Sequence, residues 1–237
     1  MSFDPPSWPH CGHGATEDER LGCRGRRIAP YSRCLAHLTE AARADRLGTL
    51  RPGADVDYSG TRFTPDLLQE VLSPLRGADE VARFGWATFR HAVFESHTSF
   101  YGACFRSGAR FDAAAFGDDV LFKRTVFGAS AWFSETSFGE NAGFTFAEFG
   151  DGAMFHHASF KGRARFRGTR SGADTSFESA RFEGRAFFAD AAFGDRTSFE
   201  GVAFAERATF TGAAFDLCAR PRHRPGRGAG STRRRCL

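Results

Sequence analysis

Residues 131–166 read AWFSETSFGENAGFTFAEFGDGAMFHHASFKGRARF. A series of Phe stands at 133, 138, 144, 149, 155, 160 and 166, in steps that alternate between five and six. Two residues before each Phe stands a small one: Ala131, Thr136, Ala142, Ala147, Ala153, Ala158 and Ala164. Side chains at i−2 and i share one side of a strand, so each small-x-Phe triplet reads as an inward-facing pair. Two or three residues rich in Gly, Ser, Asp and Glu follow each pair, a composition suited to a corner.

The pattern runs back to Phe89 and forward to Phe215, and it lapses once, where Ser171 stands in place of a Phe. Four units make 22 residues, and at that period the Phe residues fall into four columns. The first begins at Phe89, the second at Phe94 and the third at Phe100; the fourth runs Phe105, Phe127, Phe149, Ser171, Phe193, Phe215. Coils stacked at the strand spacing of about 4.8 Å would form a rod roughly 30 Å long. Ser171 predicts a gap in its column or a bulged coil. Phe84 lies one residue out of phase and begins the stack. A long helix can also carry an eleven-residue period. At 100° per residue, however, the two Phe sets would lie about 140° apart and make no single apolar face. The 16 Gly of residues 84–216 would each cost a helix about 1 kcal/mol.

This region, residues 82–216, resembles the pentapeptide-repeat proteins, whose units centre on Leu or Phe with a small residue two places earlier. The resemblance implies an all-β fold, a right-handed quadrilateral β-helix, with the Phe residues central and the Ala, Thr and Val residues as their partners. The chain departs from the family's commonest pattern in two ways. Asp or Asn does not dominate the position before the Phe, and alternate units hold six residues.

The flanking segments differ from the repeat. Residues 1–53 form a small, mostly α module with Cys and His, in which 35–50 reads as a helix. Cys11, Cys23, Cys34 and His37 offer three thiols and an imidazole, with His13 as a further ligand, and zinc favours four such groups in a tetrahedron. The alternative is three reduced core cysteines and a surface His. Residues 54–81 read as a helical cap that hides the first coil. Val56-x-Tyr58 and Thr61-x-Phe63 imitate repeat units there, Thr64 and Pro65 start a helix, and Leu67, Leu68, Val71, Leu72 and Leu75 form its apolar stripe. Residues 217–237 carry seven Arg and no acid. They have no periodicity and read as a disordered basic tail.

Charge narrows the function. The net charge of +4 comes from the tail, because residues 84–216 hold 14 basic and 16 acidic side chains. A near-neutral body argues against nucleic-acid binding. It also argues against the acidic rod needed by family members that mimic DNA and act on DNA gyrase. No apolar leader or run of about 18 apolar residues is present, so the expectation is a cytoplasmic protein with no membrane partner. No P-loop, HExxH or GxSxG occurs, so no enzyme is expected. The 22-residue period does align Arg163, Arg185 and Arg207 as a stripe for an anion or an acidic partner. It also sets His156 beside Glu178 and His157 beside Glu135. The leading expectation is a non-catalytic binding or scaffolding solenoid with an unidentified protein partner. Two alternatives are a DNA-mimic modulator of gyrase and a metal-dependent regulator acting through the Cys/His module. No capping helix follows Phe215, so a homodimer through the last coil is also expected.

Overall fold

The corners set the coil. After Phe89 the chain turns within Arg90 and His91, and the Ala92 N–H donates to the Phe89 carbonyl at 3.1 Å. His91 has φ of 54°, the left-handed conformation that a type II turn requires at its third position. After Phe94 the corner holds three residues, Glu95, Ser96 and His97, with His97 at φ 65°. Two-residue corners follow the first and third Phe columns, and three-residue corners the second and fourth. This is the physical origin of the five–six alternation.

A computed structural model of the chain describes residues 5–215. It shows a parallel β-solenoid of about six turns with a small helical N-terminal region. One sheet joins β1 (Ala54–Asp57), β3 (Arg83–Thr88) and β5 (Cys104–Arg110), then continues through two-residue strands to Ala214–Phe215. A second joins β2 (Arg62–Phe63) and β4 (Val93–Phe94) and ends at Ala203–Phe204. A third pairs Ala142–Gly143, Ala164–Arg165, Ala186–Phe187 and Ala208–Thr209. Isolated bridges link Trp132, Met154, Ser176 and Ser198 as a fourth parallel ladder. The ladder begins at Ala54, so Val56, Tyr58 and Phe63 are built into the first coil, and Tyr58 and Phe63 are fully buried.

The interior is filled with rings. Phe144 stacks on Phe122 at 4.9 Å and on Phe166 at 4.8 Å between centroids, within 6° of parallel. It meets Phe133 edge-on at 5.9 Å. Offset stacks along a column and edge-to-face contacts across columns are the two arrangements that the aromatic quadrupole favours. Among the small inward positions, Thr125, Thr136 and Thr169 are buried, and their hydroxyls donate to the carbonyls of Phe100, Phe111 and Phe144. Close stacking also restricts one corner column to glycine. A Cβ on Gly150 would lie 2.8 Å from the Gly128 carbonyl carbon, and Gly172 and Gly194 repeat the approach.

Phe84 pairs with Phe105, with ring centroids 4.7 Å apart, and a register irregularity before Trp86 absorbs the out-of-phase residue. At Ser171 the ladder stays in register with Phe149, and the Gly194 N–H still donates to the Ser171 carbonyl at 3.1 Å. The coil therefore does not bulge. The gap falls on the rings, where the Phe127–Phe149 and Phe193–Phe215 stacks end on either side of Ser171.

Helix α1 covers Glu40–Gly48, with the Thr39 side chain accepting from the Ala42 N–H. A separate single-turn 3₁₀ helix at Leu35–His37 precedes it, so the span read as one helix is two. Helix α2 covers Pro65–Leu72, with Thr64 accepting from the Leu67 N–H. It tightens into a 3₁₀ turn at Ser73–Leu75, because Pro74 supplies no N–H for the α ladder. Leu67, Leu68, Val71, Leu72 and Leu75 are all buried, and one core runs from Ile28 and Leu35 through them to Phe193. Among the described residues, no helix is long and apolar enough to cross a membrane. The basic tail lies outside the described residues.

Candidate metal centre

Two short segments zip together to hold the first two thiols. The Cys11 N–H donates to the Gly25 carbonyl at 2.7 Å, the Gly12 N–H to the Cys23 carbonyl at 2.8 Å, and the Cys23 N–H to the His13 carbonyl at 2.9 Å. The 3₁₀ turn supplies the other two ligands. Residues three apart eclipse in such a turn, and the His37 N–H donates to the Cys34 carbonyl at 2.9 Å. His37 therefore stands directly over Cys34.

These segments bring Cys11, Cys23, Cys34 and His37 into one cluster, with all four ligand atoms within 4.8 Å of one another. His37 Nδ1 is 3.3 Å from Cys34 Sγ and 3.5 Å from Cys11 Sγ, and the Cys23 and Cys34 sulfurs are 3.7 Å apart. A tetrahedral zinc with bonds of about 2.3 Å to sulfur and 2.0–2.1 Å to nitrogen places its ligand atoms about 3.5–3.8 Å apart. The three shortest separations lie near that shell, and the wider ones, up to 4.8 Å, would close by small side-chain movements on binding. His13 is not one of the four, and its ring stacks on His37 at 4.2 Å between centroids.

Electrostatics prepare the site. The Cys34 thiol donates to Cys23 and pulls its pKa down to about 5 against the opposing effect of burial, with help from the Gly25 N–H and His37. The hydrogen bond to Cys23, followed by burial, pushes Cys34 up. The pairing thus favours ionisation of one of the two thiols, and the thiolate is the form that a metal binds. Sequence reasoning missed Gly25. Its N–H lies 3.4 Å from Cys23 Sγ, and a Cβ there would come within 2.7 Å of both Cβ and Sγ of Cys34. The signal was the Cys23-x-Gly25 spacing.

The module is fixed to the solenoid. The Arg26 N–H donates to the Ser59 carbonyl at 2.7 Å, and Arg26 pairs with Asp57 at 3.3 Å. Trp8 donates from Nε1 to the Arg24 carbonyl and lies 5.7 Å from the His91 ring.

On the solenoid, Arg163, Arg185 and Arg207 stand one above another, each one residue before the register-paired Ala164, Ala186 and Ala208. Arg185 reaches Glu206 at 3.6 Å, with both side chains exposed. Neither His156 nor His157 lies within ion-pair distance of a described carboxylate, whereas His97 and Asp119 approach to 3.7 Å.

Fold and site together define a phenylalanine-laddered parallel β-solenoid that carries a three-cysteine, one-histidine cluster beside its first coil. No family model, curated protein or solved structure matches the chain.

Proposed function

We propose that the chain is a non-catalytic binding or scaffolding solenoid of the pentapeptide-repeat type, with right-handed, four-sided coils. One structural zinc, held by Cys11, Cys23, Cys34 and His37, organises its N-terminal module. The observation that carries the zinc reading is the mutual approach of four ligand atoms within 4.8 Å. Bound zinc would cross-link three chain segments that share only a few buried apolar groups, including Trp8, Ile28 and Leu35. Four protein ligands complete a tetrahedron and leave no open position for substrate. That favours a structural role over metal-dependent regulation by turnover. The outward Arg163/Arg185/Arg207 column has the wrong sign for a DNA mimic. A cytoplasmic setting keeps three thiols available for metal.

The test is the metal content of freshly purified protein. The expected result is one zinc per chain, lost in Cys34→Ser, together with protease sensitivity confined to residues 5–38. A metal-free protein with a protected module would remove the zinc. Any chelator-sensitive turnover would remove the non-catalytic reading.

A further inference from the structure

The third ladder faces outward through one residue per coil. Its six rungs are Ser99, Leu121, Gly143, Arg165, Phe187 and Thr209, in continuous parallel register. This face gathers the exposed apolar groups of the solenoid. Leu121 is 42% exposed, and Tyr101 and Phe146 at its edge are 54% and 49% exposed. Among the described residues, the other exposed large apolar side chain is Phe215, in the last coil.

The opposite edge of the same face changes sign halfway along the rod. One column there runs His97, Asp119, Asn141, Arg163, Arg185 and Arg207, and the column beside it holds Asp118 and Glu140 in coils two and three and Glu206 in coil six. The sequence behind this edge is segregated in the same way. Residues 133–154 carry four acids and no Lys or Arg, and residues 155–173 carry five Lys or Arg and no acid. Within the chain the acids are engaged locally: the Asn141 side chain donates to Asp119 at 3.0 Å and the Glu140 N–H to Asp118 at 2.8 Å. Arg163 and Arg207 make no ion pair among the described residues, and the Arg185–Glu206 pair is exposed and therefore weak.

The geometry points to a second copy of this chain, lying face to face and antiparallel on this surface. The two-fold axis would cross the face between coils three and four, parallel to the strands. Such an axis keeps each column opposite itself and reverses the order of the coils, so coil two meets coil five. Asp119 then faces Arg185 of the second copy. Leu121 faces Phe187 of the second copy and enters the groove of about 310 Å³ beside that ring, which Thr145, Arg165 and Ala189 also line. Gly143, which has no side chain, faces Arg165 of the second copy and leaves room for it. Every contact occurs twice, as an isologous interface requires.

Other occupants fit less of the face. A parallel two-fold arrangement would set Arg163 against Arg167 of the second copy, a like-charge contact. A short acidic peptide would match the arginines and leave Asp118, Asp119 and Leu121 unmatched. The face spans roughly 24 Å along the rod and 16 Å across it, from the strand spacing and rise. This is small against the usual 800 Å² or so per partner, so the dimer dissociates on dilution and weakens with salt.

The test is sedimentation equilibrium of the full chain over a range of concentrations and salt. Wild type is expected to show a monomer–dimer equilibrium that weakens with salt. Arg185→Glu, at an exposed position, and Asp119→Arg, at a half-buried one, each raise the dissociation constant by about tenfold or more, and Arg185→Glu does so without shifting the thermal melt. An equimolar mixture of the two variants recovers the dimer, because both charge pairs are then restored in the heterodimer. A wild type that stays monomeric, variants that dimerise like wild type, or a mixture that stays monomeric would each overturn the proposal. A dimer abolished by Phe215→Asp and untouched by both charge reversals would also overturn it and place the contact on the last coil.

Discussion

Ser171 stands in register against Phe149, and its hydroxyl is buried without a hydrogen-bond partner. Among the described residues, no ring stacks between Phe149 and Phe193 across this position, and the flanking stacks end on Phe127–Phe149 and Phe193–Phe215. Ser171→Phe should therefore stabilise the protein. Burying a Phe contributes about 2–3 kcal/mol gross, and removing an unsatisfied hydroxyl adds about 1–3 kcal/mol. After losses to ordering and imperfect fit, a net gain of about 1–3 kcal/mol is expected, at about 2–4 °C in melting temperature per kcal/mol. A lower melting temperature would mean that neighbouring rings already close the space.

Position along the rod should grade the cost of losing a ring. Phe144 is fully buried and stacked on both sides, so Phe144→Ala should cost about 3–5 kcal/mol. Phe210 in the last coil is partly exposed and stacks only on Phe188, at 4.8 Å. Phe210→Ala should cost less than half as much. Urea titrations of the two variants provide the comparison, and equal costs would show that the last coil is as well covered as the middle.

Gly25→Ala is the sharpest probe of the metal cluster that spares all four ligands. The new methyl would lie 2.7 Å from Cys34 Sγ, so Cys34 must move and the tetrahedron opens. Zinc affinity, measured by competition with a chromogenic chelator, should fall roughly 10–100-fold, as for other groups that support metal ligands. An unchanged affinity would place the metal elsewhere.

His91 gives the stability a pH dependence. Partial desolvation of this otherwise exposed ring first, then the Arg90 charge beside it, hold its pKa below the ordinary value of 6.5, against the opposing pull of Asp112 and Glu135. As pH falls below about 6.5 the unfolded chain takes up this proton before the folded one does, and stability declines wherever the unfolded state binds more protons. The contribution is complete above pH 6.5 and is lost as pH falls toward the folded-state pKa. His91→Asn keeps a residue that tolerates φ of 54° and removes the titration. Thermal melts from pH 8 to pH 5 should show a shallower acid slope for the variant. Identical slopes would assign the loss to other groups.

The repeat was legible because it is local. Small-x-Phe followed by a corner specifies a strand and a turn within five or six residues, and the 22-residue period then fixes which Phe meets which. Phe133 over Phe155 at 4.9 Å follows from counting. Thr64 and Pro65 were equally legible, because a cap is satisfied within its own first turn. The part played by residues 54–63 was only half readable. Val56-x-Tyr58 and Thr61-x-Phe63 carry the repeat signature, but their place in the first coil depends on strand pairing with β3 and β4, some thirty residues away.

The sequence by itself determined the solenoid, its ring columns, the lapse at Ser171 and the four residue types able to hold zinc. All of these rest on spacing and chemistry that a short stretch of chain carries alone. Only the tertiary structure decided that Cys11 and Cys23 meet Cys34 and His37. Gaps of eleven and ten residues fix no distance, and the meeting depends on how the 10–13 and 23–26 segments pair and where the 3₁₀ turn docks. The same holds for the third face. Residues 22 apart become neighbours only when the coils stack, and stacking sets exposed apolar groups beside a charge column that reverses sign halfway along the rod.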